Sequence, residues 1–219
     1  MKLNLLQPEG TPGPVASFDA IPMGSSALYL IWKRPVDQNG ILTGYRIYYE
    51  EVDGTKLGTK VERPPITDPR ETRAKLASLQ PDTKYRITIR ATTSKGQGEP
   101  YYIEASTSEE AESAPDMPEF IWSRLPDEEG KAGVEVTWVP AVEGHPGSHF
   151  YVQYKRKGEN QWESTVMEET QDTLAVKGLE RSTLYEMRVV AVDGRFQTPS
   201  KVEEIETGGL GTEDTVVCY

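Results

Sequence analysis

The sequence predicts an all-β protein made of two tandem sandwiches of seven short strands each. One observation behind this prediction is a pattern of leucine, threonine and tyrosine at positions 79, 83 and 85, which recurs one hundred residues later at 179, 183 and 185. A repeat of that length indicates two copies of one domain. The other observation is that turn signals recur about every eight to twelve residues, with alternating polar and apolar residues between them. No stretch shows sustained helical periodicity.

The turn signals define the predicted strands. In the first copy they lie near 14–20, 27–33, 43–51, 56–62, 71–77, 83–94 and 99–107. In the second copy they lie near 118–124, 132–139, 149–157, 161–166, 172–177, 183–193 and 198–207. We place the two domains at 10–108 and 114–207, and we expect 208–219 to be a flexible tail.

Alternation within the third and sixth strands of each copy separates a core face from a solvent face. The residues predicted to point inward in the first copy are Tyr45, Ile47, Tyr49, Tyr85, Ile87, Ile89 and Ala91. Those predicted to point inward in the second copy are Phe150, Val152, Tyr154, Tyr185, Met187, Val189 and Ala191. Each sheet therefore has one dry face and one wet face, as a sandwich requires.

Two kinds of aromatic residue refine the prediction. Trp32 and Trp138 lie on the second strand of each copy, where an indole ring fills the space between two sheets. Tyr85 and Tyr185 lie near the start of the sixth strand, which suits a tyrosine corner whose hydroxyl bonds to backbone just upstream. The only cysteine is Cys218, so no disulfide forms within the chain. Cysteine content therefore does not discriminate between an oxidising and a reducing compartment.

The net charge of −11 is concentrated in the second half of the chain. Residues 1–113 contain 14 basic and 15 acidic side chains, whereas 114–219 contain 10 and 20. Such acidity disfavours nucleic acid and anionic membrane surfaces as partners. No apolar run is long enough to span a bilayer, and we interpret residues 1–9 as a vector-derived or linker extension without a signal sequence.

The candidate sites for chemistry are few. The spacing of His145 and His149, with Glu143 nearby, would allow zinc chelation if the three residues were on a helix. Pro146 and Gly147 lie between the histidines and prevent a helix there. We expect these histidines to be loop residues that orient the third strand. The sequence contains no nucleophile motif, and Cys218 in the tail lacks an activating neighbourhood. We predict no catalytic residue, no metal ligand and no cofactor.

Three further motifs are predicted to be turns. The glycine-containing segment 95–99 lacks the spacing of a phosphate-binding loop. The triplet 193–195 has the order Asp-Gly-Arg, the reverse of an integrin-binding motif. The acidic clusters 127–129 and 168–169 lack the spacing of a calcium loop, and we expect both clusters to lie in solvated turns.

Several segments resemble fibronectin type III domains, namely 44–49, 79–85 and 93–100. In the second copy, 138–140, 143–154, 157–162 and 185–194 resemble the last fibronectin repeat of neuroglian-type neural cell adhesion molecules. The first copy would then correspond to the fourth repeat. The resemblance implies two tandem seven-stranded immunoglobulin-like sandwiches of the fibronectin type III kind.

The resemblance also implies a function. We expect a non-catalytic extracellular spacer and interaction module of a neural cell adhesion receptor, supporting cell–cell adhesion and axon growth or guidance. The expected partners are proteins, either further copies or related adhesion receptors. We expect no nucleic acid and no small-molecule substrate. We expect attachment to a membrane only through a span that is absent from this chain. Strand lengths predict an extended or bent rod of roughly 60–70 Å, joined near 108–116.

Three alternatives remain open. An intracellular structural pair of a cytoskeletal or muscle filament protein is compatible with the acidity and the single cysteine. A cytokine receptor module would need paired cysteines and a Trp-Ser-x-Trp-Ser segment, both of which the sequence lacks. An accessory module of a carbohydrate-active enzyme is a further alternative.

Overall fold

A computed structural model describes residues 8–141 and 143–208. Every regular element in these ranges is a β-strand, which confirms the predicted all-β class. Within the same ranges, no helix has the length and apolar character needed to cross a membrane. The predicted tail 208–219 lies outside the described residues apart from Gly208, and so do Cys218 and residues 1–7 of the predicted extension.

Seventeen strands can be followed along the described chain. In the first half they are β1 (Val15–Met23), β2 (Ala27–Pro35), β3 (Gly44–Asp53), β4 (Lys56–Leu57), β5 (Val61–Glu62), β6 (Arg73–Leu76), β7 (Lys84–Thr93), β8 (Gly96–Gln97) and β9 (Tyr101–Ser106). In the second half they are β10 (Glu119–Glu128), β11 (Lys131–Val139), β12 (His149–Arg156), β13 (Glu163–Ser164), β14 (Thr173–Leu179), β15 (Leu184–Asp193), β16 (Phe196–Pro199) and β17 (Glu203–Glu206).

The chain divides into two compact units between Glu109 and Glu110. The exception is the short segment 24–26, which is grouped with the second unit. In the first unit, β1, β2 and β6 form one antiparallel sheet in the order β1-β2-β6. The other sheet is centred on β3 and β7, which pair from Gly44 opposite Thr92 to Glu51 opposite Tyr85. Strands β4 and β5 pair with the outer edge of β3, while β8 and β9 pair with β7.

The second unit has the same arrangement. Its smaller sheet has the order β10-β11-β14. Its larger sheet is centred on β12 and β15, with β13 on the outer edge of β12 and with β16 and β17 both paired to β15. The two units therefore share one strand order, as the sequence repeat predicts.

The inward residues form the core of each unit, as predicted. The tyrosines that end each inward row, Tyr49 and Tyr154, are half-buried, whereas the residues before them are buried. The largest fully buried side chains of the first unit are Trp32, Tyr45, Leu28, Leu30, Ile47, Leu76, Ile87 and Ile89. Those of the second unit are Trp138, Phe150, Met187 and Ile205.

Two predicted strands are wrong in their continuity. The predicted strand 56–62 consists of the separate pieces β4 and β5, because the chain leaves the ladder between them. The predicted strand 198–207 consists of β16 and β17. Between these last two, the Ser200 hydroxyl accepts the N–H of Val189 at 3.0 Å and so takes the place of a ladder carbonyl.

Candidate functional site

The repeated tyrosine forms the same corner in both units. The hydroxyl of Tyr85 accepts a hydrogen bond from the backbone N–H of Gln80, and that of Tyr185 accepts one from Glu180, each at 2.9 Å. This confirms the predicted tyrosine corners. Burial raises the pKa of Tyr85 against the opposing effect of the bond from Gln80, so the phenol stays protonated at neutral pH. The corner is structural, because its hydroxyl is committed to backbone.

A threonine at the end of each unit completes the corner. The hydroxyl of Thr107 donates to the carbonyl of Gln80 at 2.6 Å and accepts the N–H of Thr83 at 3.1 Å. Thr207 makes the same two bonds, to Glu180 at 2.6 Å and from Thr183 at 3.0 Å. These threonines were not predicted from the sequence. The available signal was their identical distance from the corner tyrosines in the two copies.

The two tryptophans fill the cores as predicted. Trp32 packs edge-on against Tyr45, and Trp138 packs at a tilt against Phe150, with ring centroids 5.2 Å apart in both pairs. These contacts join the smaller sheet of each unit to the larger one. With these rings in place, side chains fill the space between the two sheets of each unit.

The histidines lie in and beside a loop of the second unit. The backbone N–H of His145 donates to Asp116 Oδ2 at 2.8 Å, and its ring Nε2 lies 2.8 Å from Asp193 Oδ2. His149 instead begins β12 and pairs with Val192. The structure thus separates the two candidate ligands into different roles. Within the described ranges, no group of three or more His, Cys, Asp and Glu side chains is arranged to hold a metal ion.

Asp193 is the most buried carboxylate near this loop, with 2% of its surface exposed. Burial opposes its ionisation, but hydrogen bonds to the carboxylate outweigh burial and lower its pKa. Two of its partners within the second unit are His145 and the Ser148 hydroxyl, which donates to Oδ1 at 3.1 Å. Both partners contact the same carboxylate, so the three residues do not form the relay in which a histidine activates a serine. The cluster anchors the loop before β12.

The two glycine-containing turns lie between strands. Residues 94–95 turn between β7 and β8, and Gly96 has a φ of +120°, which favours glycine. A Cβ on Gly98 would lie 2.2 Å from the carbonyl oxygen of Pro12, so this position needs glycine for close approach of backbone. Gly194 has a φ of +56° in the turn between β15 and β16.

The prediction for one acidic cluster is wrong. Asp127 and Glu128 close strand β10 instead of lying in a turn, and only Glu129 is in the turn. The strand continues because Glu128 pairs with Lys131 across a turn of only two residues, Glu129 and Gly130, both of which have positive φ. On the surface, Asp127 pairs with Arg181 at 2.7 Å and Glu128 with Lys177 at 2.8 Å.

The second acidic cluster, 168–169, follows strand β13. Glu168 makes an isolated bridge with Phe150, which continues the edge of the sheet beyond the strand. Its carboxylate caps the turn that follows, accepting the N–H groups of Thr170 and Gln171 at 2.8 and 2.9 Å.

A surface groove of about 670 Å³ lies in the second unit and is lined partly by Leu125, Lys131, Gly133 and Lys177. Lys177 pairs with Glu128, and Lys131 lies 2.6 Å from Glu180. The hydrogen bond from Lys131 lowers the pKa of Glu180. These charges neutralise one another in pairs, an arrangement typical of a solvated surface.

A family model described as "Fibronectin type III domain" matches residues 13–107 and 126–206. Neuroglian of Drosophila melanogaster is 50% identical over 202 residues, which are 91% of this chain and 16% of Neuroglian. Neural cell adhesion molecule L1 of Rattus norvegicus is 30% identical over 148 residues, 68% of this chain and 11% of L1. Neural cell adhesion molecule L1.1 of Danio rerio is 29% identical over 187 residues, 84% of this chain and 15% of L1.1. The chain spans less than a fifth of the length of each relative.

Proposed function

This chain belongs to the fibronectin type III family, and from that premise we propose that it is a non-catalytic spacer and interaction module in the extracellular part of a neural cell adhesion receptor. The observation that carries the proposal is the 50% identity with Neuroglian over 91% of the chain. Similarity to the L1 molecules of rat and zebrafish supports the same class of receptor.

The chemistry of the described residues is compatible with such a role. The buried carboxylate of Asp193 anchors a loop, and the exposed ion pairs at the groove of the second unit balance each other. A module of this kind acts through its surface and its length, with stability supplied by two filled cores. We propose 10–108 and 114–207 as the limits of the two domains.

We propose that the partners are further copies of the receptor or related adhesion receptors, and that binding supports cell–cell adhesion and axon growth or guidance. The acidic second half of the chain favours protein partners over nucleic acid. In the full receptor, the module would lie on the outer side of the membrane. Tandem sandwiches would set the distance between the membrane and the domains that bind.

Antibodies raised against this chain test the compartment. Neurons that express the parent protein are stained before and after permeabilisation of the membrane. Staining of intact cells is the expected result. Staining that appears only after permeabilisation would overturn the proposal in favour of an intracellular structural pair.

Beads coated with the chain test the interaction. We expect them to bind cells that express the parent receptor or a relative more than beads coated with an unrelated acidic protein of equal charge. Equal binding by both kinds of bead would show that these two domains act only as a spacer.

A further inference from the structure

The larger sheet of each unit has an outer edge with the same backbone hydrogen bonds. In the first unit, the N–H of Arg63 donates to Ile47 and the N–H of Ile66 donates to Tyr45, at 2.9 and 3.0 Å. Two residues, Pro64 and Pro65, lie between these contacts. They continue the edge without offering any N–H group, because proline has none.

In the second unit, the N–H of Thr165 donates to Val152 and the N–H of Glu168 donates to Phe150, at 2.9 and 2.8 Å. Val152 and Phe150 occupy the positions on β12 that Ile47 and Tyr45 occupy on β3. The two edges can therefore be compared residue by residue. The positions held by two prolines in the first unit hold valine and methionine in the second.

Val166 and Met167 change what this edge presents to solvent. The side chain of Val166 is 84% exposed and that of Met167 is 41% exposed. Within the described residues, the backbone N–H groups of both lack a hydrogen-bond partner. Exposed edge strands are normally protected by proline or by charge, since their free N–H and C=O groups pair readily with another chain. The first unit has the proline protection at this position, and the second unit lacks it.

The charges beside this pair indicate the kind of strand it would accept. Glu163 and Glu168 flank Val166 and Met167, and neither forms an ion pair within the described part of the chain. Oxygen Oε1 of Glu168 accepts the N–H groups of Thr170 and Gln171, and these bonds fix its carboxylate beside the edge with its negative charge unneutralised. Two such edges from separate copies, paired antiparallel, would bring glutamates opposite glutamates, which is destabilising. A strand with basic residues on both sides of an apolar centre would satisfy both the charges and the apolar side chains.

We propose that the edge 163–168 binds an extended segment of another protein, one with lysine or arginine on both sides of alternating apolar residues. The segment adds a strand beside β13, and backbone hydrogen bonds to Val166 and Met167 hold it. Its apolar side chains cover Val166, while its cations pair with Glu163 and Glu168. The inference does not depend on the adhesion function, so either can fail while the other stands.

The test titrates the full chain with a synthetic peptide of sequence Lys-Arg-Val-Thr-Val-Thr-Val-Arg-Lys and monitors the backbone amides of the chain by NMR. Binding should shift the amides of 165–168 and should weaken as salt is added. A matched peptide with glutamate in place of each lysine and arginine should bind at least about tenfold more weakly. Equal binding of the two peptides, or shifts confined to other strands, would overturn the proposal.

The double variant Val166→Pro/Met167→Pro transfers the edge of the first unit to the second. It should lower peptide affinity about tenfold or more, because it removes two N–H donors and the exposed apolar pair. An unchanged affinity in a folded variant contradicts the proposal. If the prolines unfold the unit, Glu163→Gln/Glu168→Gln provides the second test, and it should abolish the preference for the basic peptide. Association of the chain with itself through 163–168, seen by sedimentation at increasing concentration, would show that a second copy is the occupant and that the proposal is wrong.

Discussion

The hydroxyl of Tyr185 lies 2.9 Å from the backbone nitrogen of Glu180, five residues earlier, and accepts its hydrogen bond. Tyr85 has the same relationship with Gln80. In both units the bond closes the turn that leads into the central strand of the larger sheet. Two equivalent corners in one chain allow the contribution of this bond to be measured twice.

Replacement of Tyr185 by phenylalanine should destabilise the second unit by about 1–2 kcal/mol, because the ring stays packed while the N–H of Glu180 loses its acceptor. Tyr85→Phe should destabilise the first unit by a similar amount. Hydrogen–deuterium exchange during urea unfolding separates the two units. Tyr151→Phe is the matched control, since its hydroxyl donates to the exposed side chain of Gln197 and not to backbone. A loss as large in the control as in the corner variants would contradict the assignment.

Replacement of Thr207 by valine tests the threonine that completes the corner. The change keeps the shape of the side chain but removes the donor to Glu180 and the acceptor for Thr183. We expect a loss of about 1–3 kcal/mol in the free energy of unfolding, since both backbone groups lose a partner in a partly buried site. Thr170→Val removes one solvent-exposed hydrogen bond, from the Thr170 hydroxyl to Glu168, and should change stability by less than about 0.5 kcal/mol because water replaces it. Equal effects of the two substitutions would show that the Thr207 bonds contribute little.

The sequence was sufficient to predict the sandwich, because alternation and aromatic spacing are local properties of the chain. Tyr85, Trp32 and their counterparts are recognisable for that reason. The threonine Thr107 was missed because its partners lie 24 and 27 residues away, and nothing nearby marks it. The same limit applies to His145, whose contact with Asp193 spans 48 residues of sequence.

The edge of the second unit shows a further limit. Val166 and Met167 look like ordinary strand residues in the sequence. Their importance emerges only when the hydrogen bonds of Thr165 and Glu168 align them with Pro64 and Pro65. The acidic pair Asp127 and Glu128 was misplaced because the turn that follows β10 contains only Glu129 and Gly130, and strand pairing with β11 extends to Glu128.

Replacement of Gly98 by alanine should destabilise the first unit by about 1–3 kcal/mol, as overpacking usually does. The added Cβ would lie 2.2 Å from the carbonyl oxygen of Pro12, a backbone atom that also accepts the N–H of Glu99 at 2.9 Å. Gly58→Ala is the control, because its Cβ would make only ordinary contacts with Glu51, beginning at 3.5 Å. Thermal unfolding should separate the two variants. Similar melting temperatures for both would mean that the segment near Pro12 can move away without cost.

Asp68 provides a test by pH. Hydrogen bonds from the Arg70 side chain and backbone lower its pKa from the ordinary value of 3.8 to about 2. Because the folded pKa is the lower one, the stabilisation is present above the unfolded value and is lost as the pH falls from about 3.8 through about 2. Carboxyl NMR titration should find the lowered pKa, and Arg70→Ala should return it towards 3.8. High salt should shrink the shift, because the pair is exposed to solvent. Arg73→Ala, which removes another exposed arginine, is the control and should leave the Asp68 titration unchanged. If Arg73→Ala changed the pKa of Asp68 as much as Arg70→Ala does, general positive charge would be the cause instead of the bonds from Arg70.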